Sequence, residues 1–109
     1  MLLNVSQARL DAVFRALGDR TRRKLIARLA ERSATVSELA EPFAMSLPAI
    51  SRHIRVLERA GLVERRVDGR VHHCSLDPRG LRAAEGWIEQ YRRFWDGQLD
   101  ALARYVERP

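Results

Sequence analysis

Two groups of side chains in this chain have a type and spacing suited to chemistry. The first is His72-His73-Cys74. Imidazole and thiolate are metal ligands, and residues two apart on a strand share a face, so His72 and Cys74 would act together while His73 points away. A closed zinc site needs four ligands, so a second subunit or a further residue would have to complete this one. Cys74 is the single cysteine, and a thiol sensor there lacks a partner for an internal disulfide. The expectation is a small buried Cys74 beside exposed histidines, with no metal and no cofactor. A metal- or thiol-responsive sensor built on His72 and Cys74 is kept as an alternative.

The second group is arginine. Between Ser46 and Arg70 the chain places Arg52, Arg55, Arg59, Arg65, Arg66 and Arg70. A guanidinium presents a planar fork of donors that matches phosphate oxygens and the guanine edge. The net charge is +6 and unevenly spread. Residues 1–45 hold 8 basic and 5 acidic side chains, residues 46–76 hold 6 and 3, and residues 77–109 hold 6 and 6. The excess therefore lies in the first two segments, and the last is balanced. Lys24 is the only lysine. No nucleophile–base–orienter set, glycine-rich phosphate loop or telling carboxylate pair is present, so the chain is expected not to be an enzyme.

The elements that position these groups follow from periodicity. A length of 109 residues suits one domain. Ser6–Leu17 carries Leu10, Val13, Phe14 and Leu17 at helical spacing. Asp19 caps a second helix running to Glu31, with Leu25, Ile26, Leu29 and Ala30 inward. Ser33-Ala34-Thr35 reads as a turn. Val36–Ala44 reads as a short helix with Leu39, Ala40 and Phe43 inward. Ser46 caps a fourth helix that tolerates Pro48 in its first turn and runs to about Ala60. Its Ile50, Ile54 and Leu57 face the core, while Ser51, Arg52, Arg55 and Arg59 lie away from that stripe. Gly61 suits the left-handed position after a helix. Leu62–Val67 and Arg70–Leu76 read as strands joined by Asp68-Gly69 in a type I′ turn.

Asp77-Pro78 opens a last helix. Its apolar positions are Ala84, Trp87, Ile88, Tyr91, Phe94, Trp95, Leu99, Leu102 and Val106, spaced alternately by three and four. Five of the seven aromatic residues fall here, and Gly80, Gly86 and Gly97 weaken the helix. A stripe this long exceeds what so small a chain can cover, and a homodimer would bury it. The fold expected is mainly α with a small β-hairpin, a winged helix-turn-helix in the order ααααββα. It forms a single domain over 1–109, with a recognition helix at about 46–60, a wing at about 62–76, and dimerisation by about 6–17 and 78–107. No apolar run approaches the ~18 residues of a membrane helix, and Met1–Val5 lacks a basic leader. No membrane association and a cytoplasmic location are expected.

Leu10-Asp11-Ala12-Val13-Phe14-Arg15-Ala16-Leu17-Gly18-Asp19-Arg20-Thr21-Arg22-Arg23 resembles the entry signature of the arsenic-repressor (ArsR/SmtB) family of bacterial transcription regulators. So does Ser46-x-Pro48-x-x-Ser51-Arg52-His53-Ile54-x-x-Leu57-x-x-Ala60-Gly61-Leu62-Val63, followed by Arg65-Arg66-x-x-Gly69-Arg70. The likeness runs in register over about residues 8–76. It implies a dimeric repressor that holds double-stranded operator DNA with the fourth helix and wing and pairs through the first and last helices. The family's cysteine-rich metal motif would fall at Thr35–Leu39, which holds no cysteine, and the last helix has no histidine. The chain thus resembles the metal-free branch, for which the likeness names no inducer.

The DNA-binding residues expected are Ser46, Leu47, Pro48, Ala49, Ser51, Arg52, His53 and Arg55 on the helix, and Arg65, Arg66, Gly69 and Arg70 on the wing. His53 is weighed equally as a half-buried packing residue. Arg65 and Arg66 point to opposite faces of their strand, which makes Arg70 at the tip the stronger contact. Arg20, Arg22 and Arg23 are read as phosphate contacts or as plain solvated charge. The dimer interface expected is Leu10, Phe14, Trp87, Tyr91, Phe94, Trp95, Leu99 and Leu102, with a ligand pocket among the rings as the rival use. The function expected is sequence-specific repression of a palindromic operator by a homodimer, including the chain's own upstream DNA. A protein-interaction module docking a partner through the aromatic last helix is the rival from another class.

Overall fold

The computed structural model describes residues 7–107. Ser6, the expected start of the first helix, lies outside them. The elements are α1 (Gln7–Leu17), α2 (Arg20–Glu31), β1 (Ala34–Thr35), α3 (Val36–Ala40), α4 (Leu47–Arg59), β2 (Val63–Asp68), β3 (Val71–Leu76) and α5 (Pro78–Glu107). The three strands form one antiparallel sheet in the order β1-β3-β2.

Local chemistry accounts for the helix starts. The Asp19 carboxylate accepts the Arg22 N–H at 3.1 Å, and the Ser46 hydroxyl accepts the Ala49 N–H at 3.2 Å. Thr35 and Glu38 form a reciprocal capping box at α3. Asp77 accepts the Arg79 N–H at the start of α5, just before Pro78. The core is a continuous cluster from α1 (Val13, Ala16), α2 (Leu25, Leu29), α3 (Leu39), α4 (Ile50, Ile54, Leu57), the strands (Val63, Cys74) and α5 (Ala84).

Three expectations need correction. Ala34-Thr35 is a strand rather than a turn, because β3 has an open edge on which Ala34 pairs with Cys74 and Thr35 with His73. Two residues carry no periodicity that could announce a strand. The order is therefore ααβααββα. Helix α3 stops at Ala40 instead of Ala44, since Pro42 has no N–H to continue the ladder. The chain then turns, with the Phe43 N–H donating to the Ala40 carbonyl at 3.0 Å. In the hairpin Asp68 pairs with Val71, so the two turn residues are Gly69 and Arg70, one place later than expected. Gly69 supplies the positive φ of 64° at the first of them.

Helix α5 continues for 30 residues, about 45 Å, through all three of its glycines. No helix among the described residues is long and apolar enough to cross a membrane. Only the first turns of α5 are buried, at Gly80, Ala83 and Ala84. From Gln90 to Glu107 every residue is exposed.

The end of α4 is tied to the start of α5. Gly61 takes φ 75°, the Gly61 N–H donates to the Glu58 carbonyl at 3.0 Å, and the Leu62 N–H donates to the Leu57 carbonyl at 2.9 Å. This is a Schellman closure. The Gly61 and Leu62 carbonyls then accept the N–H groups of Gly80 and Asp77, both at 2.9 Å. A Cβ on Gly80 would lie 2.7 Å from the Gly61 carbonyl oxygen, whereas one on Gly97 meets nothing within 4 Å. Gly80→Ala should therefore lower stability by about 1–3 kcal/mol through overpacking. Gly97→Ala should raise it by about 0.5–1 kcal/mol from helix propensity alone. Thermal unfolding of both variants checks this; equal midpoints would contradict the close approach.

Candidate nucleic-acid interface

Helix α4 buries Ile50, Ile54 and Leu57 completely. That orientation leaves Pro48, Arg52, Arg55 and Arg59 exposed on the opposite side, at steps of four, three and four. At its N-terminus Ser46 and Leu47 are exposed, while Ala49 and Ser51 are half-buried. Beyond the helix, the hairpin exposes Arg66, Gly69 and Arg70. Leu47, Ser51, Arg70, Val71 and His72 help to line a groove of about 450 Å³ between helix and wing. Arg52, Arg55, Arg66 and Arg70 are thus exposed, and of these Arg70 shares the groove with Leu47 and Ser51 of the helix start.

Two expected contacts are engaged within the chain. Arg65 is turned back onto α4: its Nε and Nη2 donate to Glu58 Oε1 at 3.1 and 2.7 Å. Its Nη1 lies 3.1 Å from His72 Nδ1. A guanidinium has no acceptor, so that ring nitrogen accepts and the His72 proton sits on Nε2. His53 is half-buried behind the exposed face, with Nδ1 3.2 Å from Arg22 Nη1 and 3.9 Å from the Asp19 carboxylate.

Arg22 and Arg23 are engaged within the chain rather than merely solvated. Arg22 donates from Nε to the Ala16 carbonyl at 2.7 Å and from Nη2 to the Arg15 carbonyl at 3.0 Å, and Arg23 donates to the Leu17 carbonyl at 2.7 Å. They satisfy the open carbonyls at the end of α1, where positive charge is favoured. Sequence reasoning missed this role and that of Glu58. Nothing at the level of spacing links a residue on one element to carbonyls or guanidiniums on another. The Arg22 N–H, with the nearby Arg22 charge, holds the Asp19 carboxyl below its ordinary range against a smaller opposing effect of burial.

The second exposed surface is apolar. Trp87, Tyr91, Phe94, Trp95, Leu99 and Leu102 are each 42–60% exposed along one side of α5. Phe14 of α1 joins them edge-to-face with Trp87, centroids 5.3 Å apart, and Trp87 lies 4.6 Å from Tyr91. Leu10 differs from the rest of the expected interface. It is already buried within the single chain, at 8% exposure.

His72 and Cys74 do not form a joint site. Cys74 is in the core, and His72 is engaged by Arg65. Among the described residues, no group of three or more His, Cys, Asp or Glu side chains is arranged to hold a metal ion.

Comparison with known proteins agrees with this geometry. A helix-turn-helix domain family, HTH_20, matches residues 17–66. The HTH-type transcriptional regulator Rv2034 of Mycobacterium tuberculosis is 38% identical over 97 residues, covering 89% of this chain and 88% of its own. The transcriptional repressor SdpR of Bacillus subtilis is 30% identical over 90 residues, covering 83% and 100%. A crystal structure of an ArsR family transcriptional regulator is similar with a TM-score of 0.80 and 37% identity, covering 86% of this chain and 97% of that one.

Burial pushes the Cys74 thiol up, only partly offset by the Arg65 charge. Thiolate is the reactive form. Native protein at pH 7.5 should therefore leave Cys74 unmodified by a water-soluble thiol reagent over a time in which denatured protein reacts fully. Rapid labelling of the native state would restore the thiol-sensor reading.

Proposed function

The chain belongs to the ArsR family of winged helix-turn-helix transcriptional regulators, and on that premise we propose that it acts as a homodimeric repressor of a palindromic operator. It is a DNA-binding transcriptional regulator. In the proposed complex, α4 enters the major groove, Arg52 and Arg55 take guanine edges or phosphates, and Ser46, Leu47, Pro48, Ala49 and Ser51 approach from the helix start. Arg66, Gly69 and Arg70 of the wing follow the flanking backbone. The chain's own upstream DNA is a candidate operator, and the cytoplasm is the compartment of action.

The observation that carries this reading is the division of the surface. Arg52, Arg55 and Arg59 of α4 and Arg66 and Arg70 of the wing are exposed, whereas α5 balances its five arginines with five carboxylates and carries the exposed aromatic stripe beside Phe14. Pairing two copies through α1 and α5 buries the stripe and leaves both recognition helices uncovered. Two-fold symmetry then requires half-sites about 10 bp apart, or a multiple of that.

The test uses a duplex that the parent protein selects from a random pool. Arg52→Ala and Arg55→Ala should each weaken specific binding by about tenfold, roughly 1–3 kcal/mol per base contact. Both variants should sediment like the parent. A double variant that binds the selected duplex as tightly as the parent would overturn the proposed readout.

A further inference from the structure

We propose that Arg65 is a positioning residue: through Glu58 and His72 it clamps the wing to the recognition helix and so sets where the wing-tip arginine meets DNA. The proposal rests on the DNA reading above and assigns Arg65 a role other than the direct contact that its place on the wing suggested.

The geometry joins three elements through one guanidinium. Glu58 lies in the last turn of α4, Arg65 on β2 and His72 on β3. Arg65 pairs across the ladder with Cys74 and reaches His72 diagonally, on the same face. A carboxylate near a helix C-terminus is opposed by the helix dipole, so Glu58 gains from a cation beside it. Arg65 supplies that cation with two donors on one oxygen. The Arg65 side chain is only 15% exposed, which leaves its donors turned inward.

Position along the hairpin makes the clamp consequential. At its base the wing is held by buried Val63 and Cys74. From Arg66 to Val71 every residue is exposed. The Arg65–Glu58–His72 set is thus the outermost side-chain fastening of the wing to α4 among the described residues. Beyond it, only the backbone ladder and the Gly69-Arg70 turn hold the tip. Without the clamp the hairpin keeps its strands but can tilt away from α4, carrying Arg70 off the phosphate track that α4 defines.

The sign of one substitution separates positioning from contact. Glu58→Ala removes a negative charge from a DNA-facing region, which by itself strengthens binding. If Arg65 positions the wing, Glu58→Ala nevertheless weakens specific binding several-fold. It also lowers the magnitude of the salt slope by about 1.8, one phosphate contact in each subunit of a dimer. Arg65→Ala should give the same two changes, and the double variant should be no worse than either alone. Arg65→Met, which keeps the aliphatic stem, replaces Arg65→Ala if the latter fails to fold. Thermal midpoints of the Glu58 variant should stay near the parent's, because a partly exposed pair contributes little to stability. Binding by Glu58→Ala that equals or exceeds the parent's, with Arg52→Ala and Arg55→Ala still defective, would overturn the clamp alone. A parent that selects no duplex would overturn the DNA reading and the clamp with it.

Discussion

Everything this molecule presents to its surroundings depends on how helix α4 ends. Gly61, at φ 75°, closes the helix and turns its backbone so that two consecutive carbonyls, Gly61 and Leu62, face the start of α5. Those carbonyls receive the N–H groups of Gly80 and Asp77. Four backbone groups that would otherwise need water or a side chain are satisfied in one place. The same few residues launch β2 into the wing and anchor the first turn of α5. The recognition helix with its wing and the apolar face of α5 are consequently held in a fixed relation by a junction of backbone hydrogen bonds.

Arginine serves two separate ends in this chain. Some guanidiniums act inside the fold: Arg22 and Arg23 close α1, Arg65 spans α4 and the wing, and Arg79 holds the buried Asp77 carboxylate. That last contact keeps the Asp77 carboxyl below its ordinary range, chiefly through the Arg79 side chain. Others, Arg52, Arg55, Arg66 and Arg70, stand on the surface. The distinction is geometric. A guanidinium that finds carbonyls or a carboxylate within its own chain is already satisfied, and one that does not retains its donors for phosphate or a base edge. Net charge alone therefore overstates the charge available to DNA.

Much of the fold was legible because short-range signals were strong. Asp19, Ser46 and Asp77 each cap where the sequence places a cap, and Ile50, Ile54 and Leu57 fix the outward face of α4 through simple helical spacing. The misses were long-range. Strand β1 exists only because β3 offers Cys74 and His73 as partners, and the hairpin turn moved one place because Asp68 stayed in the ladder. The basic face was readable from α4, yet Arg65, its neighbour in sequence Arg66 and the tip Arg70 look alike on paper. Only the approach of Glu58 from the preceding helix separates the first from the others. Leu10 was likewise placed among the dimer residues by its helix, whereas packing takes it inside the chain.

The claim at the centre of this account is that two copies joined through α1 and α5 place two recognition helices on one side of a duplex. Hydroxyl-radical footprinting of the full chain on its selected operator tests that claim most directly. The account predicts two protected segments on the same face of the DNA, related by two-fold symmetry and separated by about 10 bp or a multiple of it. A single protected segment, or two with no fixed helical phase, would contradict it.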